Sequence, residues 1–333
     1  MTQIASEPLH GPAELAPEVG GAPSEKVTGR SPWELFWRRF RRDKFAIGGI
    51  VIIAIMALLA IGAPVIAALV GHGPNDISHL REVTTEIGLP KGPNVDLKFF
   101  FGADTVGRDV MVRVIYGART SLTVAFFATG IAVLIGVAVG VTAGYYRGKI
   151  DTFLSRMTDV VMSMPILLLA LGLATACGAS REGCLFGLLK PGLFLISVII
   201  GFFSWPYIAR IVRGQVLTLR EKEFVEAARA QGAGDFRIMR RHILPNVVAP
   251  IIVYTTLIIP NNIIFEASLS FLGVGVPEKT PSWGRMLSDA GGGIFTVAPW
   301  LMLFPGIFLF LTTLAFNLVG DGLRDALDPR TAA

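Results

Sequence analysis

Charge is scarce in this sequence. Asp, Glu, Lys and Arg make up 17% of its 333 residues and hydrophobic residues 52%, where an ordinary soluble domain is roughly 25% charged. Mean hydropathy is +0.60, and several apolar runs exceed the roughly 18 residues that mark a membrane span. A soluble enzyme with one water-facing surface is excluded. Cysteine is scarcer still. Cys177 and Cys184 are the whole complement, too few for a disulfide scaffold or a four-cysteine zinc site. The four histidines, His10, His72, His79 and His242, do not cluster, so metal ligation has no support, and no Ser, His and Asp recur at a hydrolase spacing. A phosphate-cradling loop is missing too. The nearest candidate, Gly144 to Ile150, is one residue short, and Ile150 stands where Ser or Thr belongs. No catalytic site, metal or cofactor is predicted on this chain. Any energy from ATP enters through a partner.

What is present is an all-α polytopic membrane protein of six spans. Residues 1–30, rich in Pro, Gly, Ala and Glu, read as a disordered arm without a signal peptide's apolar core. Residues 31–70 hold a short helix and the first span. Trp33, Phe36, Trp37 and Phe40 sit at helical spacing beside a basic face, as in a helix lying in the membrane interface or one packed on a neighbouring protein. Phe45 to Val70 then runs without a charge, about 39 Å of helix. Residues 71–118 form an outer loop. Residues 119–320 hold five further spans, near Leu122–Tyr145, Val160–Ala176, Gly192–Ile211, Leu244–Ile264 and Ala298–Val319. A short basic loop holds Arg147, Lys149 and Arg156, a Gly-rich loop covers 271–297, and residues 321–333 are a tail. Both termini then share one face, which carries twenty of the thirty Lys and Arg. That bias predicts cytoplasmic termini. Basic residues at span edges, rather than a stripe on a soluble face, also argue against a nucleic-acid partner.

The stretch 210–241 is too charged to span. It reads as two short amphipathic helices, the first with Phe224, Ala227, Ala228 and Gln231 on one face, the second with Phe236, Met239 and Ile243. Gly232 to Gly234 breaks them, Asp235 is placed to N-cap the second, and Pro245 marks where the fifth span begins. By itself this is an interfacial linker. Its residues say more. Glu226, Ala227, Ala228, then Gly232 and finally Leu244 and Pro245 resemble the EAA signature of permease subunits of ATP-binding-cassette importers, although His242 replaces the pattern's isoleucine.

Further segments narrow the resemblance. The run from Phe101 to Asp109 with Gly117 to Leu122, where Ala103 replaces a threonine, is similar to the second permease subunit of dipeptide and oligopeptide importers. So are Trp205 to Arg210 with Arg213, Glu266 to Gly273, and Asn317 to Pro329. The Trp/Arg segment with the first span resembles that subunit's extension ahead of a five-span core. The resemblance covers residues 33–330. It implies a type I importer fold in a prokaryotic plasma membrane, paired with a sister permease, two ATPase subunits that use ATP and Mg, and an external binding protein. The coupling helices are then residues 221–243, one of which inserts into a cleft of the ATPase. Peptides are the implied cargo; nickel complexes or another small solute are the alternative within the class. A stand-alone channel or secondary transporter is the alternative outside it, and would predict internal repeat symmetry.

Four further features are expectations. Gly136, Gly140 and Gly144 form a small-residue stripe for close helix packing, within the chain or against the sister subunit. Pro165, Pro206, Pro250, Pro260 and Pro305 free backbone groups inside or beside spans. Asn261, Asn262 and Glu266 are expected at the outer end of span 5. The carboxylate there faces the translocation path, clasps an Arg at an outer gate, or is an interfacial Glu bonded to loop backbone. Cys177 and Cys184 flank an outer loop where oxidation is permitted; they either close a small disulfide or stay as two unpaired apolar side chains.

Overall fold

The computed structural model describes residues 32–179, 184 and 189–327. The arm expected over 1–30, most of the loop between the cysteines and the last six residues lie outside them. Helix α1 (Pro32–Phe40) leads into α2 (Lys44–Val70), whose first N–H groups are capped by Asp43. A short helix, α3 (Leu80–Val83), precedes α4 (Val110–Tyr146); α5 (Gly148–Ser163) and α6 (Ile166–Ala179) follow, then α7 (Leu193–Leu219). Two short helices, α8 (Glu223–Ala230) and α9 (Asp235–Ile238), come before α10 (Leu244–Phe271), and α11 (Trp283–Asp289) and α12 (Trp300–Leu327) complete the order. Among the described residues five helices are long and apolar enough to cross a membrane, or six if α5 and α6 count as one broken span.

The expected spans hold in α2, α7, α10 and α12 and change in the others. The helix that holds span 2, α4, starts at Val110, ahead of the stretch from Leu122 expected to cross, because Asp109 caps it by accepting from the N–H groups of Met111 (2.8 Å) and Val112 (3.2 Å). Its first turns look too polar for lipid, yet Arg113, Thr120 and Ser121 are buried in protein. The loop before α4 therefore ends at Asp109. The basic loop after span 2 is helical, as α5. Span 3 is not one helix: α5 and α6 meet at 83°. Pro165 is the cause, since its ring disfavours a helical residue before it, and Met164 is extended at φ −83°, ψ 145°. Arginine chemistry holds α5 in place, with Asp151 accepting from Arg213 (2.5 and 2.8 Å) and Asp159 from Arg210 (2.8 Å) on α7. The supposed tail begins as helix, for α12 continues to Leu327.

The glycine stripe resolves as an internal seam. A Cβ on Gly136 would lie 2.6 Å from Ile208 Cβ, one on Gly140 2.6 Å from the Ala209 carbonyl, and one on Gly144 2.8 Å from Val216 Cβ. From the other side, a Cβ on Gly201 of α7 would lie 2.7 Å from the Ala128 carbonyl. Helices α4 and α7 thus meet backbone to backbone, which suits lipid, where packing rather than water exclusion drives association. Gly140→Leu is expected to cost about 1–3 kcal/mol by overpacking, measured as a lower unfolding temperature in detergent.

The Gly-rich loop is also more than a loop. Its helix α11 folds into the core, with Trp283 fully buried and its indole N–H donating to the Val114 carbonyl at 3.0 Å. Around it, Arg113 pairs with Asp104 (3.7 Å) and Asp289 (3.8 Å) and donates to the Pro74 carbonyl (3.2 Å). His72 and Asp109 meet at 3.0 Å, and burial pushes the Asp109 carboxyl above the ordinary carboxylate range while His72 opposes it. The segment 71–109 is therefore a bonded cap over the start of α4 and over α11.

Candidate functional site

Glu223 and Glu226 occupy the first turn of α8, the end that favours negative charge. The helix stops in a Schellman turn: the Gly232 N–H donates to the Arg229 carbonyl (2.9 Å) and the Ala233 N–H to the Ala228 carbonyl (3.0 Å). Gly232 sits at φ +79°, with nothing within 4 Å of a Cβ placed there. Backbone conformation, not space, therefore selects glycine. Asp235 does not N-cap the second helix as expected; Gly234 holds that position with no side-chain bond. The Asp235 carboxylate accepts from the Tyr145 hydroxyl at 2.7 Å instead.

Packing revises the predicted faces. Val225, Ala228, Ile238 and Ile243 turn inward onto Val212 and Val216 of α7 and Tyr145 of α4. Phe224, Glu226, Ala227, Gln231 and Phe236 remain exposed, Phe236 at 71%. Pro245 does not stop the second helix either. The chain from Met239 to Ile243 is a π-turn in which the Leu244 N–H reaches back five residues to the Met239 carbonyl. The wider turn makes room for the ring of Pro245, and residues Asp235–Phe271 run on as one span. Leu244 is half-buried and Pro245 exposed at this join. The elbow is continuous with the fifth span.

Tyr145, which the sequence reading did not single out, ties these parts together. Its hydroxyl holds Asp235, its carbonyl accepts from Arg220 at the end of α7, and the Arg229 guanidinium lies 5.5 Å over its ring. Arg147 and Arg220 then share Glu221, at 2.7 and 3.1 Å. Tyr145 of α4 thus meets α8, α9 and the end of α7 at one point. Tyr145→Phe removes the bond to Asp235 at about 1 kcal/mol, expected as faster amide exchange over residues 223–238 with the core of α4 unchanged.

The second group lies about 25–33 Å along α10 from Leu244. These residues lie within α10, which continues beyond them to Phe271. Asn261 is exposed and lines a cavity of about 510 Å³ with Met162, Ile166, Phe203, Tyr207 and Phe265. This cavity is set against the α5–α6 bend. Asn262 is buried, accepting from Ser204 (2.8 Å) and donating to Thr129 (2.8 Å). Glu266 is fully buried. Its carboxylate accepts from Ser121 of α4 (2.8 Å) and from Ser270 one turn on (2.7 Å). Among the described residues its hydrogen-bond partners are serine hydroxyls rather than an arginine or loop backbone, and it is not among the side chains that line the cavity. The spacing of Glu266 and Ser270, four residues apart, is the one trace of this cluster in the sequence. Cys177 and Cys184 are joined as a disulfide.

The profile of the family described as "Binding-protein-dependent transport system inner membrane component" matches residues 132–333, and that of the "N-terminal TM domain of oligopeptide transport permease C" matches residues 31–81. The dipeptide transport system permease protein DppC of Alkalihalophilus pseudofirmus is 39% identical, over 96% of this chain and 98% of its own. The oligopeptide transport system permease protein OppC of Haemophilus influenzae is 38% identical over 99% of both. The glutathione transport system permease protein GsiD of Escherichia coli is 40% identical over 90% of this chain and 91% of its own. In three dimensions the chain is similar to a permease in the inward-facing MetNI methionine ABC transporter, with TM-score 0.54 and 20% identity over 66% of this chain and 97% of that one; this likeness shows the fold. With the helical architecture and the EAA elbow, these matches establish that the chain belongs to the inner-membrane permeases of binding-protein-dependent ABC importers, in the branch of the peptide transport permeases.

Proposed function

We propose that this chain forms one half of the path by which an ATP-driven importer takes up di- and oligopeptides. A sister permease supplies the other half, two ATPase subunits bind ATP and Mg, and an external binding protein delivers cargo. Both termini then lie in the cytoplasm, in the inner membrane of a prokaryote. The observation that carries the reading is the elbow of α8 and α9. It is exposed where an ATPase would sit, it is held rigidly by a Schellman turn and Tyr145, and it runs without a break into α10. A helix so fixed transmits a push to the spans, as alternating access requires.

The path is best placed at the cavity beside Asn261. It is lined by apolar side chains and uncharged hydrogen-bonding groups from α5, α6, α7 and α10, a wall suited to peptide backbone. Pro165, Pro206 and Pro260 shape it by bending helices or freeing carbonyls. Glu266 acts behind that wall as a strut. The test is uptake of a labelled dipeptide by proteoliposomes holding the co-expressed assembly. The reading requires uptake with ATP and Mg on the ATPase side and none with ADP; uptake of a labelled nickel complex alone would reassign the cargo, and uptake without ATP would remove the proposal.

A further inference from the structure

We infer that the segment from Trp37 to Phe45 is a binding surface for an anionic phospholipid headgroup of the leaflet at which α1 lies. Two arginines and Asp43 are all that separate α1 from the first span. The segment is thus placed where hydrocarbon gives way to headgroups. It is also anchored there. Phe36 and Phe40 pack with Val319, Leu323 and Ala326 of α12 and Ala46 of α2, an approach so close that any side chain on Gly322 would collide with Ala46.

The other side of the segment is cationic and open. Arg38, Arg41, Arg42 and Lys44 are exposed, and among the described residues no carboxylate lies within ion-pair distance of them. Asp43, between them, already accepts from the N–H groups of Phe45 (2.9 Å) and Ala46 (3.1 Å). The other acids of this region are Glu34 in the first turn of α1 and Asp321 and Asp325 on α12. Trp37 is 51% exposed with the Arg41 guanidinium 5.6 Å over its ring, and Phe45 is 75% exposed. Ile47 begins a strip of exposed apolar side chains on α2 that continues through Val51, Ile55, Leu58, Val65 and Leu69.

That continuity decides between a lipid and a protein partner. An acidic protein surface would satisfy the cations but leave the adjoining strip and indole without a match. A phospholipid satisfies both, its phosphate among the cations and its chains along α2. Indole rings settle at headgroup depth, and each basic residue near an anionic surface strengthens attraction by about fivefold. Phosphatidylglycerol, with one net negative charge and a small headgroup, fits this chemistry.

The test is native mass spectrometry of the full-length chain in detergent, titrated with phosphatidylglycerol or phosphatidylcholine. At least tenfold tighter binding of phosphatidylglycerol is expected, abolished in Arg38→Gln/Arg41→Gln/Arg42→Gln with an unchanged melting temperature. A second variant, Arg81→Gln/Lys91→Gln/Lys98→Gln in the outer loop, lowers net charge equally and is expected to keep the preference. Equal occupancy by both lipids overturns the inference, as does a preference that survives the first variant or vanishes in the second. Loss of ATPase subunits from membranes of the first variant, with lipid preference intact, would mark the surface as a protein contact instead.

Discussion

Gly232→Pro is expected to abolish ATP-driven uptake while the chain still inserts into the membrane. Proline fixes φ near −65°, whereas this residue is at +79°, and it lacks the N–H that donates to the Arg229 carbonyl. The Schellman turn cannot form, so α8 is no longer held at its angle to α9. Nothing surrounds the position, so the spans have no steric reason to be disturbed. Gly232→Ala separates the two effects. It meets only the left-handed backbone penalty of about 1–2 kcal/mol and is expected to lower uptake without removing it. Uptake assayed beside membrane abundance checks both. Full activity of the proline variant would show that the angle of this elbow does not matter.

Glu266→Ala is expected to prevent accumulation of folded protein, whereas Glu266→Gln is expected to leave both folding and uptake nearly intact. The carboxylate joins α4, through Ser121, to α10, through Ser270, and the Ser270 hydroxyl also accepts from the Val276 N–H at 3.2 Å in the following loop. Alanine leaves these buried groups without their partner and opens a cavity, together about 3–5 kcal/mol. Glutamine keeps the volume and one acceptor oxygen, and the hydroxyls rotate to meet its amide. Thermal unfolding in detergent and uptake per folded molecule decide it. A glutamine variant that folds but does not transport would return Glu266 to the path.

These two positions show how far the sequence could be read. Gly232 was legible because a left-handed turn between two helical patterns selects glycine, and its spacing from Glu226 and Pro245 carries the family resemblance. Glu266 was visible as an intramembrane acid, but its partners were not, since Ser121 is 145 residues away. Lipid-facing spans were legible for a related reason. Helix α2 turns Phe45, Leu58 and Leu69 outward, so nearly every position must be apolar. The first turns of α4 face protein instead, where Arg113 is acceptable because Asp104, Asp289 and Asn75 meet it, so hydropathy alone does not reveal them as helix. At the α5–α6 break, the apolar run crosses Pro165 without interruption, so composition showed one span where the backbone turns by 83°. Pro245 misled in the other direction, for a π-turn absorbs it. Tyr145 is an aromatic at a span end until α7, α8 and α9 are folded around it.

The most direct test of the central claim, that this chain works as a transport subunit driven through partners, is its recovery in mild detergent from native membranes with mass spectrometry of what accompanies it. The account requires a sister permease and ATPase subunits in the same complex, with the ATPase lost on disrupting the elbow at Gly232. Recovery of the chain alone, still moving solute in liposomes without ATP, would contradict it.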